Sequence, residues 1–201
     1  VEEAEQALGR AETELGFARV DTDRLRRRGM PEVIYGPGKT AEQVIGIIRA
    51  LHDAGQNAFI TRVDRDLFDA VVKVFAGAVF HASARAITVD VAPLPAPAGH
   101  VAVVCAGTTD IPVADEAALT AERMGARVER LYDVGVAGLH RLLRHTGTLR
   151  SANVIVVVAG MEGALPSVVG GLIDKPVIAV PTSIGYGTGW RGLAALLAML
   201  N

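Results

Sequence analysis

A lone carboxylate among glycines, Glu162 in Gly160-Met161-Glu162-Gly163, is the side chain best placed to do chemistry. No other charged residue lies between Val154 and Leu172. Gly or Asn could build such a turn, so a carboxylate has few structural duties there. It suits a divalent ion such as Mg²⁺, a ribose hydroxyl or a proton in transfer. Three further turns carry polar groups: Ala106-Gly107-Thr108-Thr109-Asp110, Asp133-Val134-Gly135 and Thr182-Ser183. In the first, Thr or Asp can cap the following helix while free N–H groups hold a phosphate or carboxylate. Capping accounts for one of its three polar residues, not for all. Asp133, beside a glycine at a strand end, reads either as a turn residue or as a site carboxylate. The catalytic candidates are therefore Glu162, Asp110 and Asp133, with Glu162 also the candidate metal ligand. The substrate-binding candidates are Gly107, Thr108, Thr109, Asp110, Gly135, Gly160, Met161, Gly163, Thr182 and Ser183.

Other reactive types fit bland roles better. Cys105 ends the apolar run His100-Val-Ala-Val-Val-Cys105 and reads as a small buried hydrophobe. His140 sits at helical spacing among Leu139, Leu142 and Leu143, as a helix residue rather than a base. Gly38-Lys39-Thr40 follows a strand pattern as a Walker A loop does, but that loop needs a glycine where this chain has Val33. Thr40 is instead expected to cap a helix, with Gln43 completing a capping box. The run Arg24-Leu25-Arg26-Arg27-Arg28 reads as a solvated face. No His/Cys/Asp cluster has zinc spacing, and no Gly-x-Ser-x-Gly elbow occurs.

The elements that must position these turns follow from periodicity. Val154–Val158 and Pro176–Val180 are short apolar runs, expected as strands buried on both faces. From His100 the chain alternates: strand 100–105, helix 112–125, strand 127–131, helix 136–145, then those two strands with their helices. Such alternation implies parallel βαβ units in a three-layer α/β sandwich, with every candidate turn at the carboxyl edge of the sheet, where open α/β sheets bind ligands. Upstream, residues 2–15 read as an acidic amphipathic helix stopped by Gly16, and 17–21 as a short strand. Strands follow over 32–35, 57–63 and 86–91. The helix after Thr40 carries Val44, Ile47, Ile48 and Leu51 on one face, and a further helix spans 66–75. These make a small α/β amino-terminal domain over residues 1–92. Pro93, Pro95 and Pro97 stiffen a linker over 93–99, and the nucleotide-binding domain spans 100–201.

Composition bounds the partners. The 201 residues are 50% hydrophobic, and the net charge of −2 gives no basic excess for nucleic acid. No apolar run reaches the roughly 18 residues of a membrane span, and no signal-peptide pattern is seen. A single cysteine suits a reducing cytoplasm. Val1 opens inside a helical pattern without an initiator methionine, and Asn201 directly follows another, so both ends read as cut.

The motifs AGTTD, AGMEGALPSVVGGL and PVIAVP resemble the ligand turns of the PurE-type aminoimidazole ribonucleotide carboxylase and mutase class. The longer stretches ELGFARVDTDRLRRRGMPEVIYGPGKT, TDIPVADEAALTAERMG, ERLYDVGVAGLHRLL and VVVAGMEGALPSVVGGLIDKPVIAVPTSIGYG are more similar to the LarB family of nickel-pincer cofactor biosynthesis. That resemblance implies a flavodoxin-like, PurE-type sandwich. It also implies carboxylation of the pyridinium ring of nicotinic acid adenine dinucleotide with CO2 or bicarbonate, then phosphoanhydride cleavage. The products would be pyridinium-3,5-biscarboxylic acid mononucleotide and AMP. It further implies a homo-oligomer, read from the purine class as an octamer. The purine enzyme's Ser-Ala-His-Arg turn corresponds to Tyr132-Asp133-Val134-Gly135, so its histidine and arginine are missing here. The LarB family's reactive cysteine follows a Leu-Asn motif, matching Leu200-Asn201, and Cys105 is not its replacement. The alternatives are a purine-type carboxylase or mutase and a non-catalytic nucleotide-binding module.

Overall fold

The computed structural model describes residues 12–201, and the chain divides into two compact units between Leu94 and Pro95.

The first unit opens with a hairpin, β1 (Thr13–Glu14) paired antiparallel with β2 (Arg19–Val20). The expected helix over 2–15 lies largely outside the described residues, and its described end is extended instead. Gly16 adopts a left-handed φ of 79° in the hairpin turn rather than ending a helix. The basic run forms a short helix, α1 (Arg24–Arg28), whose Arg26 and Arg27 pair with Asp23, and Arg27 also with Asp21.

A four-stranded sheet follows in the order β3 (Val33–Tyr35), β4 (Ala58–Thr61), β6 (Ala86–Val89), β5 (Val79–His81). β3 and β4 run parallel and the other pairs antiparallel. Strand β5 was not expected from the sequence; its Val-Phe-His run is too short and too exposed to alternate clearly. Helix α2 (Ala41–Asp53) joins β3 to β4 and buries Val44, Ile47, Ile48 and Leu51. Its start is the expected capping box: Gln43 N donates to Thr40 Oγ1 at 3.3 Å, and Thr40 N donates to Gln43 Oε1 at 3.0 Å. Helix α3 (Arg65–Val71) stops four residues short of Phe75, within the run Val71-Val72-Lys73-Val74. β-Branched residues there lose side-chain freedom in a helix.

The second unit holds a four-stranded sheet, all parallel, in the order β10 (Val177–Pro181), β9 (Val154–Ala159), β7 (His100–Cys105), β8 (Arg127–Leu131). Side chains alternate between its faces. Val103, Cys105 and Val158 pack with Ala114 and Ala118 of α4 (Ile111–Arg123) on one face. Ala102, Val104, Ile155 and Val157 pack on the other against Leu142, Leu149, Leu165 and Val169. Those residues come from α5 (Leu139–Leu143), α6 (Thr146–Ser151) and α7 (Leu165–Leu172). The result is the three-layer sandwich, closed by α8 (Leu193–Met199) after β10. The single helix expected over 136–145 is a 3-10 turn at Val136–Gly138 followed by α5, with α6 a separate element. Thr146 Oγ1 donates to Leu143 O at 2.7 Å, which satisfies a carbonyl at the break. Among the described residues no helix is long and apolar enough to cross a membrane.

The Thr40 cap is testable. Thr40→Ala should destabilise the first unit by about 1 kcal/mol in urea unfolding, while Thr40→Ser should retain most of that stability.

Candidate functional site

The hydrogen-bond ladder of the second sheet continues past its strand ends and binds the turns to one another. Ala106 N donates to Val158 O at 3.0 Å, and Gly135 N to Ala106 O at 2.9 Å. Thr182 N donates to Ala159 O at 3.0 Å, and Met161 N to Ile184 O at 2.7 Å. The turns therefore form one rigid rim. Two glycines are required by this approach: a Cβ on Gly135 would lie 2.7 Å from Ala106 O, and one on Gly160 only 2.3 Å from Ile184 O.

Within this rim lies a cleft of about 350 Å³, in the range of small-ligand sites. Of the residues singled out in sequence, Gly107, Thr108, Thr109, Asp110, Asp133, Gly135, Gly160, Met161 and Glu162 line it. Gly163, Thr182 and Ser183 do not. Gly163 is buried at φ 68°, with Ala195 O 2.8 Å from where its Cβ would stand. Ser183 is exposed outside the cleft, whereas Thr182 lies beneath it.

The three carboxylates differ sharply. Asp110 is only 3% exposed, and both of its oxygens are engaged: Thr182 Oγ1 donates to Oδ1 at 2.7 Å, and Gly107 N to Oδ2 at 3.1 Å. Its position at the start of α4 sets its charge against the positive end of that helix. Asp133 is exposed and accepts from Arg141 Nη1 at 2.6 Å. Its φ of 57° is left-handed, which Asp tolerates better than most residues. Met161 is left-handed too, at φ 51°, and costs more there because its side chain makes no compensating local hydrogen bond. Glu162 is exposed and makes no hydrogen bond or ion pair among the described residues.

Arg141 was not singled out in sequence. It sits on α5, eight residues after Asp133, and brings the cleft's one cationic side chain. The available signal was an acid at a strand end followed by an Arg two helical turns on, which is weak by itself. Ile184 and Leu165 also line the cleft and supply apolar surface. No histidine lines it.

Among the described residues no group of three His, Cys, Asp or Glu side chains could hold a metal ion. A site made by protein alone is therefore not what these residues form. The free carboxylate of Glu162 does fit Mg²⁺ bound the usual way, through one carboxylate, waters and substrate phosphates.

Cys105 is fully buried. Desolvation pushes its thiol up from near 9 to about 11; a hydrogen bond with the backbone of Asp133 opposes this, and the charges of Asp110, Asp115 and Asp133 add to it. The stability gained by keeping it protonated is present below about pH 9 and fades as pH rises through about 11. At about pH 8 a disulfide thiol reagent should leave Cys105 unmodified in the native protein and label it fully in guanidinium. Mass analysis of the Cys105 peptide reads the outcome, and rapid native labelling would contradict the burial.

Two family models cover nearly all of the described chain: the LarB/PurE-like N-terminal domain matches residues 12–91, and AIR carboxylase matches residues 100–201. Over 191 residues the chain is 38% identical to an uncharacterized protein of Methanocaldococcus jannaschii, spanning 91% of this chain and 73% of that one. Over 104 residues it is 31% identical to the N5-carboxyaminoimidazole ribonucleotide mutase of the same organism, spanning 50% of this chain and 61% of that enzyme.

Proposed function

This chain belongs to the LarB family, related to the AIR carboxylase class, and from that membership we propose that it carboxylates the pyridinium ring of nicotinic acid adenine dinucleotide and then cleaves the phosphoanhydride. At the coarser level it is a carboxylase-type enzyme. The observation that carries the finer reading is the lining of the cleft: three carboxylates, one guanidinium and no histidine. A ligand with a cationic ring and a phosphate chain matches such a lining. An aminoimidazole ribonucleotide has a neutral ring that gains nothing from the carboxylates, and it meets Arg141 as the one cation for its anionic phosphate.

In this scheme a thiolate adds to the ring and turns the electron-poor pyridinium into a neutral dihydropyridine. The enamine carbon of that adduct attacks CO2, and the C–C bond forms. Loss of the proton from that carbon and expulsion of the thiolate restore the aromatic cation, so one hard step becomes two easier ones. The thiol would be the cysteine that follows the Leu-Asn motif in the LarB family, since Cys105 is buried and protonated at neutral pH. Arg141 and the first N–H groups of the Thr108–Asp110 turn would hold phosphate oxygens. Asp110 would act as a positioning residue, since its oxygens are already engaged. Asp133 would orient Arg141. Water would then cleave the phosphoanhydride to release AMP, and Glu162 would hold Mg²⁺, which would supply positive charge for the phosphate oxygens. The exposed Leu193, Leu196, Leu197 and Leu200 support assembly into a homo-oligomer.

Calorimetry should show nicotinic acid adenine dinucleotide and AMP binding at micromolar strength, and the aminoimidazole ribonucleotide much more weakly. The reverse order would overturn the assignment in favour of the purine-type reaction.

Glu162→Gln keeps the shape of the turn and removes its charge. In a protein that also carries the cysteine following the Leu-Asn motif of the LarB family, and with Mg²⁺ varied, this variant should release AMP about 100-fold more slowly, comparable to losing one charge-stabilising group. Its melting temperature should match wild type, because no partner loses a bond. Wild-type turnover in the variant would remove Glu162 from the mechanism.

A further inference from the structure

The first unit has a cavity of its own, about 360 Å³, at the carboxyl edge of its parallel strand pair. β3 and β4 run parallel and are joined through α2, which is the arrangement that places ligands outside the strand ends. Because β6 runs antiparallel to β4, the turn that precedes β6 reaches the same edge. Three turns therefore meet there, and each brings one cation: Lys39 after β3, Arg62 after β4 and Arg85 before β6.

The backbone fixes these turns to one another. Gly36 N donates to Thr61 O at 2.9 Å, and Val63 N to Arg85 O at 2.8 Å. Gly36 cannot carry a side chain, since its Cβ would lie 2.5 Å from Val63 Cγ1 and 2.9 Å from Thr61 O. Arg62 and Arg85 both hold left-handed backbones, at φ 55° and 50°, where glycine or asparagine would fit more easily. Lys39 Nζ donates to Tyr35 O at 2.9 Å, and the Arg62 guanidinium lies 6.0 Å from the Tyr35 ring centroid, so both reach the end of β3. Neither Lys39 nor Arg85 has an ion pair among the described residues. The two acids in the lining have helix duties. Asp64 caps α3 by accepting from Leu67 N at 2.9 Å, and Asp66 sits in that helix's first turn.

We propose that this cavity binds a phosphate-bearing anion of about the size of pyrophosphate. Side-chain cations hold it, not a wrapped backbone, because Val33 stands where a Walker A loop needs its first glycine. Polar and apolar surface line the cavity in about equal parts, and the three cations make charge the strongest feature a ligand would meet there. Fixed turns with one cation each suit a tetrahedral oxyanion approached from three sides.

The test uses inorganic pyrophosphate and calorimetry on the full chain carrying Arg141→Gln, which disables the guanidinium of the second unit's cleft. Pyrophosphate should still bind this protein, and raising the salt should weaken it. Adding Lys39→Gln and Arg85→Asn should weaken binding by about tenfold or more, the effect of removing charge-assisted hydrogen bonds. Asn is chosen because it tolerates the left-handed backbone. If the melting temperature shows that the combined variant unfolds, Lys39→Gln alone carries the comparison. Unchanged affinity after these substitutions overturns the proposal, and so does the absence of pyrophosphate binding in the Arg141→Gln protein.

Discussion

The cleft of the second unit depends on one buried hydrogen bond, from Thr182 Oγ1 to the carboxylate of Asp110. The sheet order puts β9 between β7 and β10, so this bond spans the end of β9 to join turns that are not neighbours. Gly160 lies directly under it, and a Cβ there would stand 2.7 Å from Thr182 Oγ1. The same carboxylate receives Gly107 N and so sets the start of α4. A hydrogen bond to a charged group contributes about 1.5–3 kcal/mol, and leaving a buried carboxylate oxygen unpaired costs about as much or more. One residue thus joins two of the four turns, backbone bonds from Thr182 N to Ala159 O and from Met161 N to Ile184 O bring in the third, and the close approach of Gly135 to Ala106 brings in the fourth.

With Asp110 engaged below the rim, the remaining charges of the cleft have separate tasks. Arg141 is tied to Asp133, so the guanidinium is held at a fixed place while its other donors stay available. Glu162 is the carboxylate without a partner. A polar group held by nothing in the protein, on a turn strained at the preceding Met161, is where a ligand or its metal ion would complete the coordination. The separation of an engaged acid, a paired acid and a free acid within one cleft is what makes distinct roles for them physically reasonable.

Much of this was legible in the sequence, for identifiable reasons. The strands of the second unit were readable because β-branched runs such as Val154–Val158 are bounded by glycine, and α2 because Thr40 and Gln43 bracket a clean apolar face. The turns around Gly107, Gly135 and Gly160 were readable because close backbone approach leaves glycine as its trace. What the sequence hid was non-local. Nothing local distinguishes Asp110, buried and engaged, from Glu162, exposed and free, since the difference is a partner 72 residues away. Arg141 was hidden for the same reason. The hairpin at Thr13–Val20 escaped because the acidic pattern before it continues in helical phase, and only pairing with Arg19 and Val20 overrides it.

Both units place their turns at the carboxyl edge of parallel strands, yet they fill that edge differently. In the second unit small residues let backbones approach closely, and the cleft that remains is lined mainly by glycine, alanine and short polar groups with a few charges. A close-fitting shape, a fixed guanidinium and a free carboxylate are the features that a ligand in the proposed reaction would meet there. In the first unit the turns carry long cations on a backbone that favours glycine, and polar and apolar surface share the lining of the cavity between them about equally. The same edge geometry therefore yields a cleft with a held guanidinium and a free carboxylate in one unit and, in the other, a cavity ringed by three cations.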